Sequence, residues 1–453
     1  MGELLIEPHM NRRQFVSALA AASLVAPPVA GMAKRPPNII FILADDLGWG
    51  EPGCYGNSFN HTPHIDRLAR EGVRFTHAYS AAPVCSPTRA SFITGQHPAR
   101  VGIIDYLRAD DDNYLSPTLP TLPKMLKQAG YQTGLIGKWH LMGDYQQRKG
   151  DPKLHGFDEV LGSETSYIGP GYYWHPYQHL PGLAARTPHE YLTDRLNQEA
   201  VDFIGRHAKS PFFLYLAHYA PHTRLAAKPA LLAKYQNRPE AGKKKNNAEL
   251  AAMLESIDEG IGQILDEVKR LQLDNDTLII FNSDNGGETN VTTNADLHGG
   301  KSQLFEGGIR VPLVVRFPGT LPAGEVCSEP VVTTDYYPTL LAFAGVKPAA
   351  GHHLDGVSLA NLFRKPKSKF AERDICWYYP LEKDHFLGGK SAMAIRNSRW
   401  KLIESLKDDE KQLFDLLEDP AETRNLATAK PEVLNALSSR LHAWRKRTVK
   451  PGL

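Results

Sequence analysis

Residues 38–46 have the sequence NIIFILADD, and this stretch decides the class of the fold. Six consecutive apolar residues, several of them β-branched, are followed directly by Asp45 and Asp46. A run of this kind is typical of a strand that is buried on both faces, as in a parallel sheet covered by helices. The two aspartates would then lie just past the carboxyl end of that strand.

The same arrangement, an apolar run with a polar end, recurs along the chain. Strands are predicted at residues 131–137, 212–217 and 277–281, with helices at 119–129, 191–207 and 247–272. The polar residues that follow these strands are Lys138 and His140, His222, and Asp284 and Asn285. Because sites in such sheets lie outside the carboxyl ends of the strands, we expect these residues to share one site.

The pattern changes past about residue 365. Short strands at hairpin-like spacing are predicted at 375–379, 392–395, 400–403 and 412–415, followed by a helix at 431–446. The sequence therefore predicts an α/β fold with a large mixed, mostly parallel sheet sandwiched by helices, and a smaller C-terminal antiparallel sheet plus helix. We assign residues 34–365 to the large domain and residues 366–453 to the small α+β subdomain.

Composition excludes several classes of protein. The chain has 453 residues, with 52 Lys and Arg against 50 Asp and Glu, so its net charge is only +2. This balance gives no overall field for holding nucleic acid or an anionic membrane, and no nucleic-acid partner is expected. The 4 cysteines form no CxxC pair, which excludes a disulfide-dense scaffold and a cysteine metal motif.

The N-terminus resembles an export signal. Arg12 and Arg13 precede a short apolar segment at 16–26 and small residues at 31–33. This order predicts a signal peptide of the twin-arginine type over residues 1–33. We therefore expect an exported protein, periplasmic or extracellular after removal of the signal. No later segment approaches the roughly 18 apolar residues of a membrane-spanning helix, so no stable membrane insertion is expected.

The sequence around Cys85 carries the most chemical information. Residues 85–89 are CSPTR, and Thr94 and Gly95 follow. Pro87 suits the first turn of a helix predicted at 85–95, which places Cys85 at a helix N-terminus that favours an anion. Arg89, four residues on, lies on the same helical face.

This C-x-P-x-R motif with its T-G resembles the signature of the type I, formylglycine-dependent sulfatases, in the alkaline phosphatase-like superfamily. Other motifs similar to that family follow in order: ADDLG at 44–48, GKWH at 137–140, PH at 221–222, SDNGG at 283–287, GK at 300–301, EGGIRVP at 306–312, and LFDL at 413–416 with Asp419, Pro420 and Glu422. The family usually has Arg where this chain has Gln96. The resemblance extends over nearly all of the chain after residue 33.

The resemblance implies two cofactors. A formylglycine-generating maturase would oxidise Cys85 to formylglycine (3-oxoalanine), whose hydrated form, a geminal diol, supplies the nucleophile. Asp45, Asp46, Asp284 and Asn285 offer only oxygens, which suits a hard cation such as calcium or magnesium. In the resembling family these four residues bind one calcium ion, completed by the modified cysteine and a sulfate oxygen.

The resemblance also implies roles for the basic residues. Arg89 and Lys138 would support the diol and the sulfate. His140 would be the base that expels sulfate and restores the aldehyde. His222 and Lys301 would face the leaving-group oxygen, with His222 as the acid.

The implied activity is that of a sulfuric ester hydrolase. We rank a sulfated carbohydrate above an aryl sulfate as its substrate, because the segment 162–191 is rich in rings that stack on sugars. Trp174, His175 and His298 are the predicted substrate contacts. A phosphodiesterase or phosphonate monoester hydrolase of the same superfamily, and a non-catalytic sulfated-glycan binder with unmodified Cys85, remain as alternatives. Sequence alone leaves the oligomeric state and the disulfide pairing open.

Overall fold

A computed structural model of the chain describes residues 1, 35–164, 172–177, 179–180 and 183–452. Residues 36–453 form one compact unit. Apart from Met1, the predicted export signal at 1–33 lies outside the described residues, and it stays a prediction. Within the described part of the chain, no helix is both long enough and apolar enough to cross a bilayer.

The described strands and helices follow the predicted alternation. The strands are β1 Asn38–Ala44, β2 Val73–Tyr79, β3 Gln132–Gly137, β4 Glu159–Leu161, β5 Phe212–Ala217, β6 Thr277–Ser283, β7 Arg310–Arg316, β8 Glu325–Cys327, β9 Val331–Val332, β10 Ile375–Tyr379, β11 Ala392–Arg396, β12 Trp400–Ser405 and β13 Lys411–Asp415. The α-helices are α1 Pro63–Arg70, α2 Cys85–Thr94, α3 Pro98–Val101, α4 Leu122–Gln128, α5 Leu192–His207, α6 Pro229–Gln236, α7 Ala248–Arg270, α8 Glu306–Ile309, α9 Tyr336–Ala344, α10 Ala360–Arg364 and α11 Pro431–Thr448.

The main sheet has nine described strands in the order β4-β3-β5-β1-β6-β7-β2-β8, with β9 paired to β2. The five strands from β4 to β6 are mutually parallel. Strand β7 is antiparallel to both β6 and β2, which makes the sheet mixed. The predicted fold class is therefore confirmed.

Strand β1 shows why its apolar run is continuous. Ile39, Phe41 and Leu43 belong to a core on one face of the sheet, with residues of α2, α4 and α9. Ile40 and Ile42 belong to a second core on the other face, with residues of α1, α5 and α7. Every residue of the strand is buried, because helices cover both faces.

The second sheet is a four-stranded antiparallel meander of β10 to β13. One face, which includes Trp377 and Phe414, packs on Tyr79 of β2 and Ile309 of α8. The other face packs on α11 through Leu437. The predicted C-terminal sheet and helix are confirmed. All four cysteines lie in the described residues, and none of them forms a disulfide.

A buried ion cluster joins the second sheet to the main one. Lys401 on β12 is fully buried and lies 3.0 Å from a carboxylate oxygen of Glu306 and 2.8 Å from one of Glu422. Burial raises the pKa of Glu422 to about 7. Burial also opposes ionisation of Glu306, but Lys401, Arg310 and Arg396 together lower its pKa to about 2. The tail motif that ends at Glu422 thus has a structural role, since Glu422 also accepts the Glu306 N–H at the start of α8.

We expect Lys401→Met to destabilise the protein by about 3–5 kcal/mol, because it leaves the buried Glu422 without its cation and removes one of the cations near Glu306. Urea unfolding would measure the loss. The control is Lys390→Met, since Lys390 is exposed and lies 3.8 Å from Glu410, and its loss should be below about 1 kcal/mol. Equal losses in the two variants would contradict the structural role of Lys401.

Candidate active site

Polar residues that follow four parallel strands meet at one edge of the main sheet. Since β3, β5, β1 and β6 are neighbours in that order, the loops after their carboxyl ends are adjacent. The predicted residues on these loops are Lys138 and His140 after β3, His222 after β5, Asp45 and Asp46 after β1, and Asp284 and Asn285 after β6. The structure brings all of them together. The other predicted residues at the site, Cys85, Arg89 and Lys301, come from elsewhere in the chain.

Cys85 is the first residue of α2, a helix that is buried along its whole length. Its Sγ lies 3.4 Å from Asp45 Oδ1 and 3.8 Å from Asp46 Oδ1. Burial, together with the charges of Asp284 and Asp45, raises the pKa of the Cys85 thiol well above its usual value. An unmodified Cys85 would therefore be a protonated thiol, which is a poor nucleophile.

Three carboxylates crowd the same space. Ligand atoms of Asp45, Asp46, Asp284 and Cys85 all lie within 4.8 Å of one another. Burial and the neighbouring Asp45 raise the pKa of Asp284 to about 7. Asn285 Oδ1 is buried and has no hydrogen-bond partner among the residues that the structure describes. A hard cation such as calcium fits this site, because the three carboxylates repel one another, Asn285 adds a buried, unpartnered oxygen, and only Cys85 offers sulfur.

Three basic side chains offset part of this negative charge. Arg89 is fully buried and donates to Asp284 Oδ2 from Nε (3.0 Å) and from an Nη (2.7 Å). Lys138 Nζ donates to Asp45 Oδ2 at 2.6 Å, and Lys301 Nζ donates to Asp46 Oδ2 at 2.6 Å. Each of these three side chains thus contacts one of the predicted metal ligands. Their roles in the reaction stay predictions.

The two predicted histidines are held in different tautomers. His140 Nε2 lies 2.9 Å from Leu107 O, so it carries the proton, and the buried Nδ1 has no partner within the described part of the chain. Burial, then Lys138 and Arg89, hold the pKa of His140 well below its usual value. This histidine is a neutral base with a free lone pair.

His222 has the opposite tautomer. Its Nδ1 donates to Thr223 O, so Nε2 accepts from Lys301 Nζ at 3.1 Å. Burial and the charge of Lys301 lower the pKa of His222. In this pair Lys301 Nζ carries the proton and His222 Nε2 accepts the hydrogen bond.

Sequence reasoning missed Glu164, which supports this site. Its carboxylate is buried and accepts the backbone N–H groups of Trp139 and His140 and the hydroxyl of Tyr219. These bonds fix the loop after β3, in which His140 has a left-handed φ of 56°. No motif pointed to Glu164, because two of its three partners are backbone N–H groups.

A cavity of about 690 Å³ opens over Cys85, His140, His222 and Lys301. As far as the described residues extend, Trp174, His175 and His298 do not line it. The His298 ring stacks on Phe305, Trp174 packs on Tyr191, and the His175 ring meets Tyr177. Residues 165–171 of the aromatic segment lie outside the described residues. The cavity is lined instead by His385, which the sequence places near the aromatic residues 377–379, and by residues that the sequence did not single out: Tyr106, Arg108, Arg224, Glu288 and Phe386.

Known families and proteins resemble the chain over most of its length. The model of the family described as Sulfatase matches residues 37–346, and that described as N-sulphoglucosamine sulphohydrolase, C-terminal, matches residues 298–447. Steryl-sulfatase of Mus musculus is 31% identical, with 95% of this chain and 86% of that protein covered. N-acetylgalactosamine-6-sulfatase of Canis lupus familiaris is 36% identical, with 75% and 68% covered.

A solved structure also resembles this chain over most of its length. The crystal structure of Ps i-CgsB in complex with k-i-k-neocarrahexaose superposes with a TM-score of 0.81 at 32% identity. The match covers 92% of this chain and 94% of that one.

We expect chelator-treated protein to bind one Ca²⁺ per chain in isothermal titration calorimetry. Asn285→Ala removes the unpartnered oxygen without changing the charge, so it should weaken the affinity about tenfold or more. Asn275→Ala, at an exposed asparagine away from the site, is the control and should bind like the wild type. Wild-type affinity in Asn285→Ala would show that this oxygen is not a ligand.

Proposed function

This chain belongs to the sulfatase family, and we propose that it removes sulfate from a sulfated carbohydrate, with Cys85 in its formylglycine form and one calcium ion bound. One observation carries the proposal. Cys85 begins a buried helix and faces a cluster of carboxylates, with three cations and two histidines around it, at the floor of an open cavity.

The two cofactors would supply the chemistry that the chain's own side chains lack. Hydrated formylglycine at position 85 would provide a hydroxyl nucleophile, and calcium held by Asp45, Asp46, Asp284 and Asn285 would polarise the sulfate and favour ionisation of that hydroxyl. Arg89 braces Asp284, and Lys138 holds Asp45, so both keep the carboxylates in place. Both also place positive charge beside Cys85, where a sulfate dianion has to sit.

Two separate groups handle the protons. Lys301 Nζ and His222 Nε2, 3.1 Å apart, hold a proton on the side of the cavity where the alcohol leaves. His140 Nδ1, with its free lone pair, takes a proton when sulfate is expelled from the enzyme. Separate acid and base groups suit a reaction of two steps, in which first the alcohol and then the sulfate departs.

The carbohydrate is proposed from the cavity and from the relatives. A volume of about 690 Å³ is suited to a sugar-sized ligand, and its lining mixes aromatic with charged and amide side chains. Two of the similar proteins act on or are bound to saccharides by name, whereas steryl-sulfatase is named for a steroid. Polar side chains with aromatic faces suit hydroxylated rings better than a sterol.

We further propose that residues 1–33 direct export, so that the mature enzyme works in the periplasm or outside the cell. Twin-arginine export carries folded proteins, so a maturase could modify Cys85 before the chain leaves the cytoplasm. N-terminal sequencing of the secreted protein tests the cleavage, which we expect near residue 33.

The central test is the Cys85 residue itself. Peptide mass analysis of protein made with a maturase should find formylglycine at position 85. Cys85→Ala should lower kcat on 4-nitrophenyl sulfate by at least about 10³-fold, as expected on loss of a nucleophile. Cys54→Ala, a half-buried cysteine outside the site, is the matched control and should stay active.

Two results would overturn the proposal. An intact Cys85 thiol in protein that binds sulfated sugars without hydrolysing them would indicate a binding protein. Faster turnover of phosphate or phosphonate esters than of sulfate esters would assign the site to phosphoryl chemistry.

A further inference from the structure

The cavity over Cys85 is much larger than a sulfate group needs, and its inner and outer parts differ. The inner lining, with Cys85, His140, His222 and Lys301, is buried. The outer lining comes from loops and includes the exposed Arg108, Arg224 and Phe386. The outer part is therefore where the leaving saccharide has to lie, and its side chains decide which saccharides fit.

Arg224 differs from the other cations of this lining. Lys301 is paired with Asp46, and Arg108 lies 3.6 Å from Asp105 and over the ring of Tyr106. Arg224 makes no ion pair or side-chain hydrogen bond with any residue that the structure describes. The exposed acid of the lining, Asp110, belongs to the loop of Arg108. Arg224 thus presents an unmatched guanidinium to the cavity.

The backbone that carries Arg224 is fixed relative to the proposed proton donor. Thr223 Oγ1 donates to Glu288 Oε1 at 2.7 Å, and Thr223 O accepts from His222 Nδ1. Glu288 in turn lies 3.6 Å from Lys301 Nζ. Arg224 lies two residues beyond His222, and its side chain lines the cavity on the side where the alcohol would leave.

Three rings, those of Tyr106, His385 and Phe386, lie in the outer lining of the same cavity. Phe386 is 82% exposed, although it is a large apolar side chain, and it stacks on His385 with ring centres 4.4 Å apart. Tyr106 meets the edge of His385 at 5.9 Å. Phe386 is therefore an exposed ring stacked on His385, which itself contacts Tyr106, and it offers a flat apolar face to a sugar ring.

We propose that Arg224 binds a second anionic group, a sulfate or a carboxylate, on the saccharide whose sulfate is removed, while Phe386 stacks on a ring of that saccharide. This inference rests on the proposed carbohydrate sulfatase activity and makes Arg224 its determinant of specificity. Its guanidinium can hold either group in a bidentate, charge-assisted pair. The preferred substrate is then a multiply charged saccharide, not an isolated sulfate ester.

The test compares saccharides that differ by one charge. Wild-type enzyme is first assayed on 4-nitrophenyl sulfate and on mono- and disulfated galactan, chondroitin-type and heparan-type disaccharides. The best class then supplies sets with one sulfate, with a second sulfate, and with a uronate carboxylate kept or reduced to the alcohol. We expect the second anion to raise kcat/KM of the wild type at least about tenfold, mainly through KM.

Arg224→Ala should remove most of this preference, so its loss of kcat/KM is about tenfold larger on the doubly charged sugar than on the singly charged one. Arg224→Lys should keep part of the preference, because it keeps the charge without the planar fork. Arg70→Ala, at an exposed arginine outside the cavity, is the matched control and should keep the wild-type preference. An effect confined to the sulfate or to the carboxylate set identifies the anion.

Equal losses of Arg224→Ala on singly and doubly charged sugars would overturn the inference. Failure of the proposed function looks different, because then the formylglycine-bearing wild type hydrolyses none of the saccharides, whether or not it turns over 4-nitrophenyl sulfate. A thermal unfolding midpoint equal to that of the wild type shows that Arg224→Ala is folded.

Discussion

Three carboxylates, those of Asp45, Asp46 and Asp284, are buried together at the carboxyl edge of the main sheet, and their repulsion has to be offset. Arg89, Lys138 and Lys301 each reach in from a different element to pair with one of them. These pairs fix the relative positions of α2 and of the loops after β1, β3 and β6. So many buried charges would be unfavourable in an ordinary protein core. Here they suit the cation and the sulfate group that we propose for this site.

The second sheet contributes to the same arrangement from a distance. Lys401 on β12 neutralises Glu306, the first residue of α8, and Glu422 caps that helix start. The loop that ends at α8 carries Lys301, whose position relative to Asp46 depends on where the helix begins. The second sheet therefore supports one side of the candidate active site, and the described lining of the cavity includes His385 and Phe386 from the loop between β10 and β11.

The sequence predicted the structure best where the position of a side chain has a single physical cause. The stretch at 38–44 predicted β1 to the residue, because a strand buried on both faces is apolar along nearly all its length, and only Asn38 at its start is polar. The polar residues after four strands predicted a shared edge, because parallel strands point the same way. The antiparallel direction of β7 was not visible, since a buried strand has the same composition in either direction. The short strands β4, β8 and β9 were missed because two or three residues carry no periodicity.

The residues around the substrate were harder to predict for a related reason. Cys85 and Arg89 belong to one helix, so their spacing of four is itself a signal. Tyr106, Arg224 and Phe386 come from three loops, and nothing in their sequence spacing records that they line one cavity. Aromatic content pointed instead to Trp174 and His175, whose rings pack on Tyr191 and Tyr177. The motifs therefore indicate the sulfatase family, whereas the lining of the cavity depends on how separate loops fold over the site, which only the three-dimensional structure shows.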